Sequence, residues 1–293
     1  MKDWVIACSS ITWPRGTPRE QVLAEIAQAD YEGAPAGPHG GVTAQEVIEL
    51  YAKYGLKPGP GYLGASFEDP EQESGILERA RMLATFSREI GCGELYVAAG
   101  GFDNYVTSRG LTRRQVSAKV KPEDMMTDAE FEQFAKVLTK VGAITLEEGV
   151  KSCFHNHVGS TIETRVEIDK LFSMIDPKLV FQGPDIGHLA WAGEDAVQFC
   201  RDYADSIKSV HLKDIDPDVL ERGVKEDWNY GQFSDNGIFC ELGEGMVDFP
   251  AIFDILKKAN YAGWIIVETD VTQKATALES ALVSRKYLKS IGL

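Results

Sequence analysis

Short unbroken apolar runs along this chain alternate with longer stretches in which apolar residues return every three or four positions, the sign of strands alternating with amphipathic helices. Trp4-Val5-Ile6-Ala7-Cys8 predicts a first buried strand. Thr17-Pro18-Arg19-Glu20 predicts the helix behind it, opened by a capping box with proline at its first position. A second unit starts at Tyr31 and passes through another capping box, Thr43-Ala44-Gln45-Glu46, to Val47, Ile48, Tyr51 and Tyr54, ending at Gly55. The third strand, 56–63, is weakened by prolines, and its helix opens at Asp69-Pro70. The fourth strand is 94–99, and its helix opens at Thr127 with Phe131, Phe134, Leu138 and Val141 on one face. Strands over 150–154, 179–182, 207–210 and 264–267 follow. Their helices begin near Thr164, Gly193, Asp248 and Thr272.

Eight strand–helix units in 293 residues predict an α/β fold, a (β/α)8 TIM barrel forming a single domain over 1–293. A doubly wound open sheet is the alternative, because the pattern does not itself report closure. Two connections are long, from Gly100 to Met126 after the fourth strand and from Lys213 to Val247 after the seventh. Both run from a strand to a helix, which puts them on the face where barrels build their sites. They are expected to act as lids, with the polar stretch from Trp228 to Phe239 reading as lid or loop.

On this frame the scarce histidines fall into place. The chain has five, and four stand just past strands: His155 and His157, His188, and His211. The sixth strand is followed by Asp185 and the eighth by Glu268. Carboxylates and imidazoles converging from separate strands suit one divalent cation with oxygen-rich ligation, Mn2+ or Co2+ first, with Mg2+ or Zn2+ as alternatives. The expected ligands are Asp185, His211, Glu268 and, from the turn after the fifth strand, Glu163; His155 or His157 is the alternative to Glu163. His39 stands alone among glycines, as fitting for a solvated turn as for the mouth. Trp13, next to Pro14, could wall a sugar ring or simply pack. Lys213 and Asp214 follow His211 after one residue, where an ammonium would stabilise developing negative charge.

Composition then removes several functions. A formal charge of −15 opposes binding to a phosphate backbone. Met1-Lys2-Asp3-Trp4 shows no leader pattern and no apolar run is of membrane-spanning length, so a cytoplasmic protein without membrane contact is expected. The five cysteines are scattered without a C-x-x-C pair and read as reduced core residues. Gly59-Pro60-Gly61-Tyr62-Leu63-Gly64 matches a dinucleotide fingerprint only formally, since Phe67-Glu68-Asp69-Pro70 separates it from any helix. His155-Asn156-His157 matches a nuclease motif in three letters, which carry almost no specificity.

Five segments together resemble the xylose isomerase-like TIM-barrel superfamily, and within it the inosose dehydratases: His155-Asn156-His157-x-Gly159-Ser160-x-x-Glu163-Thr164, Asp185-Ile186-Gly187-His188, His211-Leu212-Lys213-Asp214, Gly243-Glu244-Gly245-x-Val247-Asp248 and Gly263-Trp264-x-x-x-Glu268. The resemblance implies one divalent metal at the ends of strands five to eight, carrying over directly to Asp185, His211 and Glu268. It departs where relatives end the fifth strand in glutamate and this chain has His155, and where relatives resemble Gly-Tyr-x-Gly-x-Glu and this chain has Asp30-Tyr31-Glu32-Gly33-Ala34-Pro35.

The expected activity is removal of water from a cyclic keto-polyol, with Glu268 or Glu163 as base and His155, His157 or His188 as acid. Ketose epimerisation or isomerisation, sharing the same enediolate, is the alternative, and a non-catalytic sugar-binding barrel the second. A DNA-repair endonuclease on the same fold would want more histidines and a basic groove. The expected partner is a small polyol or sugar, with no nucleic acid; a homo-oligomer stays open.

Overall fold

The computed structural model describes residues 4–293, so the expectation placed on Met1–Asp3 lies outside the described residues. Strands β1 (Val5–Cys8), β2 (Gly33–Pro35), β3 (Lys57–Gly59), β4 (Gly61–Ala65), β5 (Glu94–Ala99), β6 (Lys151–His155), β7 (Val180–Gln182), β8 (Ser209–Leu212) and β11 (Trp264–Val267) form the barrel wall. All their pairings are parallel, in the order β3-β2-β1-β11-β8 on one side and β4-β5-β6-β7 on the other.

Closure happens at two seams. Pro60 divides the expected third strand, and the halves pair with different neighbours, β3 with β2 and β4 with β5. Proline has no N–H to give a ladder, so the wall turns there without losing a bond. Between β7 and β8 only isolated parallel bridges remain, Gln182 with Ile207 and Asp185 with His211. The second of these makes two expected ligands direct neighbours. At the opposite, closed end, the Trp264 ring fills the interior. A Cβ on Gly33 or Gly59 would stand 2.7 and 2.9 Å from it, so small residues face the large one.

The outer helices are α1 (Arg19–Gln28), α2 (Ala44–Ala52), α3 (Glu73–Glu89), α4 (Asp128–Glu147), α5 (Arg165–Phe172), α6 (Ile186–Trp191), α7 (Ala196–Asp202), α10 (Phe249–Lys258) and α11 (Ala277–Ser290). The capping box expected at Thr43 is formed, and the helix expected to open at Thr127 opens with one too. At Thr17 none is: α1 starts one residue later, after Pro18, and the Thr17 hydroxyl donates to the Pro14 carbonyl.

The second long connection holds a hairpin, β9 (Asp214–Ile215) with β10 (Phe239–Cys240), and two helices, α8 (Pro217–Lys225) and α9 (Tyr230–Asp235). Its stretch from Trp228 to Phe239 is therefore not the polar loop expected. Trp228, Phe233, Ile238 and Phe239 are buried, and Phe233 and Phe239 meet Trp191 of α6 edge-on at 5.5 and 5.3 Å. Cys8, Cys92, Cys153 and Cys200 are buried and unpaired; Cys240 is half-buried. Among the described residues no helix is long and apolar enough to cross a membrane.

Candidate active site

The inward face of each strand delivers every second residue to the interior, so β6 brings His155 and, just past its end, His157. Asn156 between them works sideways. Its side-chain carbonyl accepts the Asp185 N–H at 3.1 Å and its amide donates to the Asp185 carbonyl at 3.3 Å, pinning the end of β7 to β6. Asp185 then caps α6 by accepting the His188 N–H on Oδ1 at 3.0 Å. That leaves Oδ2 buried and without a hydrogen bond, 3.1 Å from the Lys213 ammonium.

Around this oxygen stand His155 Nε2 at 3.9 Å, His211 Nδ1 at 3.9 Å and His188 Nε2 at 4.0 Å. His211 Nδ1 also faces Glu268 Oε2 at 3.6 Å, and it too lacks a hydrogen-bond partner. The donor atoms of His155, Asp185 and His211 all lie within 4.8 Å of one another. Burial pushes all three imidazoles, His155, His188 and His211, below the usual histidine range, so they are neutral and present lone pairs. Neutral imidazoles and carboxylates around orphaned buried atoms fit a divalent cation, with His155 in the fourth position.

Glu163 is not in that position, which corrects the expectation. Its oxygens accept the backbone N–H of Gly159 and of Ala118, each at 2.7 Å, and it lies 4.0 Å from the Arg113 guanidinium. Gly159 has φ +81°, a turn that favours glycine and folds Glu163 back onto its own backbone. The carboxylate thereby ties the turn after β6 to the first long loop, and burial raises it to about 7. Asp214 is a second correction. Oδ2 accepts from Gly243 and Gly245 at 2.9 and 3.1 Å, and Oδ1 from Ile215 and Val247 at 3.0 and 3.1 Å, so it organises the 243–247 turn and has no oxygen left for substrate.

Trp13 is buried, and its indole N–H donates to Glu25 of α1 at 2.7 Å; it is not among the side chains brought together. His39 sits in an exposed turn. Lys213 is in the centre and wholly buried, but its ammonium is spent on protein groups: Glu268 Oε1, Asp270 Oδ2 and His188 Nε2, each at 3.1 Å. Asp185 Oδ2 stands at 3.1 Å as well, so three N–H donors face four protein groups and none is left for substrate. Burial disfavours its charge, but Asp185, Asp270 and Glu268 outweigh burial and hold its pKa well above the ordinary lysine range. The same ammonium overcomes burial at Glu268 and keeps that carboxylate ionised.

His157 alone among the four histidines reaches the half-open rim. Its Nδ1 faces the Val158 carbonyl at 2.7 Å; a carbonyl only accepts, so Nδ1 carries the proton and Nε2 is bare. Burial pushes its pKa down to about 3. Both long connections close over it. Phe102 meets the ring edge-on at 5.1 Å, Tyr230 stacks at 6.0 Å, and the Arg114 guanidinium lies 5.1 Å from each of those two aromatic rings.

Sequence reasoning missed Asp270, Tyr62, Phe102 and Arg114, and placed Tyr230 only within the lid-or-loop stretch from Trp228 to Phe239. Asp270 was recoverable, lying two residues beyond Glu268, just past the end of β11. Tyr62 lies on β4, 46% exposed yet 5.5 Å from the buried His155 ring, so it lines an open mouth.

A model of the family described as the xylose isomerase-like TIM barrel matches residues 23–290. The chain belongs to that family. It is 33% identical over 255 residues to the inosose dehydratase of Geobacillus kaustophilus, covering 86% of this chain and 80% of that relative. It is 39% identical over 166 residues to the inosose dehydratase of Clostridium tetani; that match spans 56% of each chain, little more than half the relative's length. Among solved structures, an L-ribulose 3-epimerase superposes with TM-score 0.71 at 16% identity, covering 99% of this chain and 94% of that one. The IOLI protein with a bound zinc atom gives 0.71 at 16% identity, covering 98% and 97%. At those identities the likeness is one of fold.

Proposed function

We propose that this chain is a metal-dependent hydro-lyase that removes water from a cyclic keto-polyol such as 2-keto-myo-inositol. The observation that carries the reading is the convergence of His155, Asp185, His211 and Glu268 on one buried point, where Asp185 Oδ2 and His211 Nδ1 take part in no hydrogen bond. The relatives named inosose dehydratase support the substrate class. A divalent ion, Mn2+ or Co2+ first, would be held by these four residues and would polarise the ketone of a bound substrate.

His157 supplies the proton chemistry. Its bare Nε2 takes the proton from the carbon beside the ketone, and the electron pair left behind moves toward the carbonyl. The hydroxyl one carbon further then departs, takes the same proton from Nε2 and leaves as water, so atoms and charge balance and His157 ends as it began. Phe102 and Tyr230 shield the step from solvent, while Tyr62 offers a ring face to the substrate.

Epimerisation would need a second free base on the opposite face of the ring. Glu268, the other base expected, has Oε1 bonded to Lys213 and Oε2 facing His211, which favours elimination. Incubating the protein with Mn2+ and 2-keto-myo-inositol tests the choice. The expected result is the ultraviolet absorbance of an unsaturated dione with a mass loss of one water. Interconversion of free ketoses without that absorbance would replace this reading with epimerisation.

A further inference from the structure

Two donor triads stand side by side in the mouth. The inner one is His155, Asp185 and His211; the outer is His157, His188 and Asp270, whose donor atoms likewise lie within 4.8 Å of one another. Lys213 Nζ stands between them. It bonds His188 Nε2 and Asp270 Oδ2 of the outer set and Glu268 Oε1 beside the inner one, each at 3.1 Å, with Asp270 Oδ1 at 3.0 Å. It is also 3.1 Å from Asp185 Oδ2, which takes no hydrogen bond from it and remains an orphaned, fully buried atom. Phe239 closes the remaining side, its ring centroid 5.3 Å from Nζ.

The charges count in the same direction. Asp185, Glu268 and Asp270 contribute three negative charges to a site shut off from water. The Lys213 ammonium and one divalent cation neutralise them, whereas a second divalent ion beside Lys213 would leave two buried positive charges uncompensated. His157 is otherwise arranged as a ligand is, its Nδ1–H held by the Val158 carbonyl and its Nε2 facing the centre; His188 is fixed by the Val158 N–H, which donates to its Nδ1 at 3.3 Å.

We propose that Lys213 is a built-in substitute for a second divalent cation: it holds the outer triad by its ammonium, keeps the centre mononuclear, and conceals a second cation site on His157, His188 and Asp270. Lys213 is thus a positioning residue that decides cation number. The proposal rests on reading His155, Asp185, His211 and Glu268 as a metal site, and one titration separates the two claims.

The experiment is equilibrium binding of Mn2+ to the purified chain and to K213M, K213R and K213M/D270N, with metal content measured directly and the Mn2+ forms examined by electron paramagnetic resonance. The native chain and K213R are expected to bind one equivalent. K213M is expected to bind two and to show the exchange-coupled signal of a metal pair, and K213M/D270N to return to one. A folded K213M that stays at one equivalent, or a native chain that takes two, overturns the proposal. A native chain that takes none overturns both it and the metal reading. If K213M does not fold alone, refolding in excess Mn2+ with two equivalents bound supports the proposal, and failure to refold under that condition overturns it.

Discussion

Glu163 and His157 lie six residues apart in one turn and stand in opposite relations to the site. Glu163 has both oxygens on backbone N–H groups of Gly159 and Ala118, so E163Q should keep its bound metal while D185N loses it. Metal analysis after gel filtration checks this, and loss of metal from E163Q would restore it as a ligand. His157 keeps a bare Nε2 outside the inner triad. H157Q should therefore lower kcat by about 10²–10⁴-fold with metal content unchanged; a rate within threefold of native would remove it as the base. Side-chain type and strand-end position made it legible that Asp185, His211 and Glu268 would meet, with His155 only an alternative to Glu163 beside them, because an inward-facing residue at a strand's end has only one place to go. Asp270 stayed hidden because the apolar run marking its strand stops at Val267. Lys213 and Asp214 were misread for a different reason: their partners come from elsewhere in the chain, from His188, Glu268 and Asp270 for one and the 243–247 turn for the other.

At the scale of elements, the two long connections were legible as lids by length and place, but not in their contents. The first is anchored by Arg113, which is wholly buried, bidentate to Glu167 at 2.9 and 3.1 Å and bonded to the Ser160 and Asp124 carbonyls. A charged residue in a polar stretch gives no local sign of burial; only its distant partner does. The second connection buries Trp228, Phe233 and Phe239, spaced too irregularly for a single amphipathic period.

Near the base of the first loop, Glu68 follows β4 with Oε2 unpartnered, and burial raises its pKa from 4.5 to about 7. A raised value means that the folded state holds the proton more tightly than the unfolded one. Its contribution to stability is therefore fully present below about pH 4.5 and is lost as pH rises through about 7. E68Q, permanently neutral, should lose nothing over that range. Urea midpoints should put E68Q ahead of native by up to about 3 kcal/mol at pH 8.5, less what partial exposure screens, with the gap shrinking toward pH 5. A gap independent of pH would mean that Glu68 is ionised throughout.

For the whole molecule, the alternation of elements announced eight units, and the family assignment agrees. Closure was not legible, because it depends on two seams that apolar periodicity does not mark: the break at Pro60, and the β7–β8 join held by isolated bridges. The second seam is where a bound cation would act on the fold. His155 comes from β6, Asp185 from the end of β7, His211 from β8 and Glu268 from the end of β11, so a bound cation would span the weakest part of the wall as well as its neighbours. Metal at a hundred times its dissociation constant adds about 2.7 kcal/mol to a folded state that alone binds it. For a chain of this size that is roughly 4–5 °C in melting temperature. Calorimetry should show that shift between chelator and saturating Mn2+, and none in D185N. Deuterium exchange should localise it, with the His211 amide, which donates to the Pro184 carbonyl across the seam at 2.9 Å, slowing most when metal is added. Equal melting temperatures with and without Mn2+, together with unchanged exchange at His211, would separate the four residues from any role in holding the barrel shut.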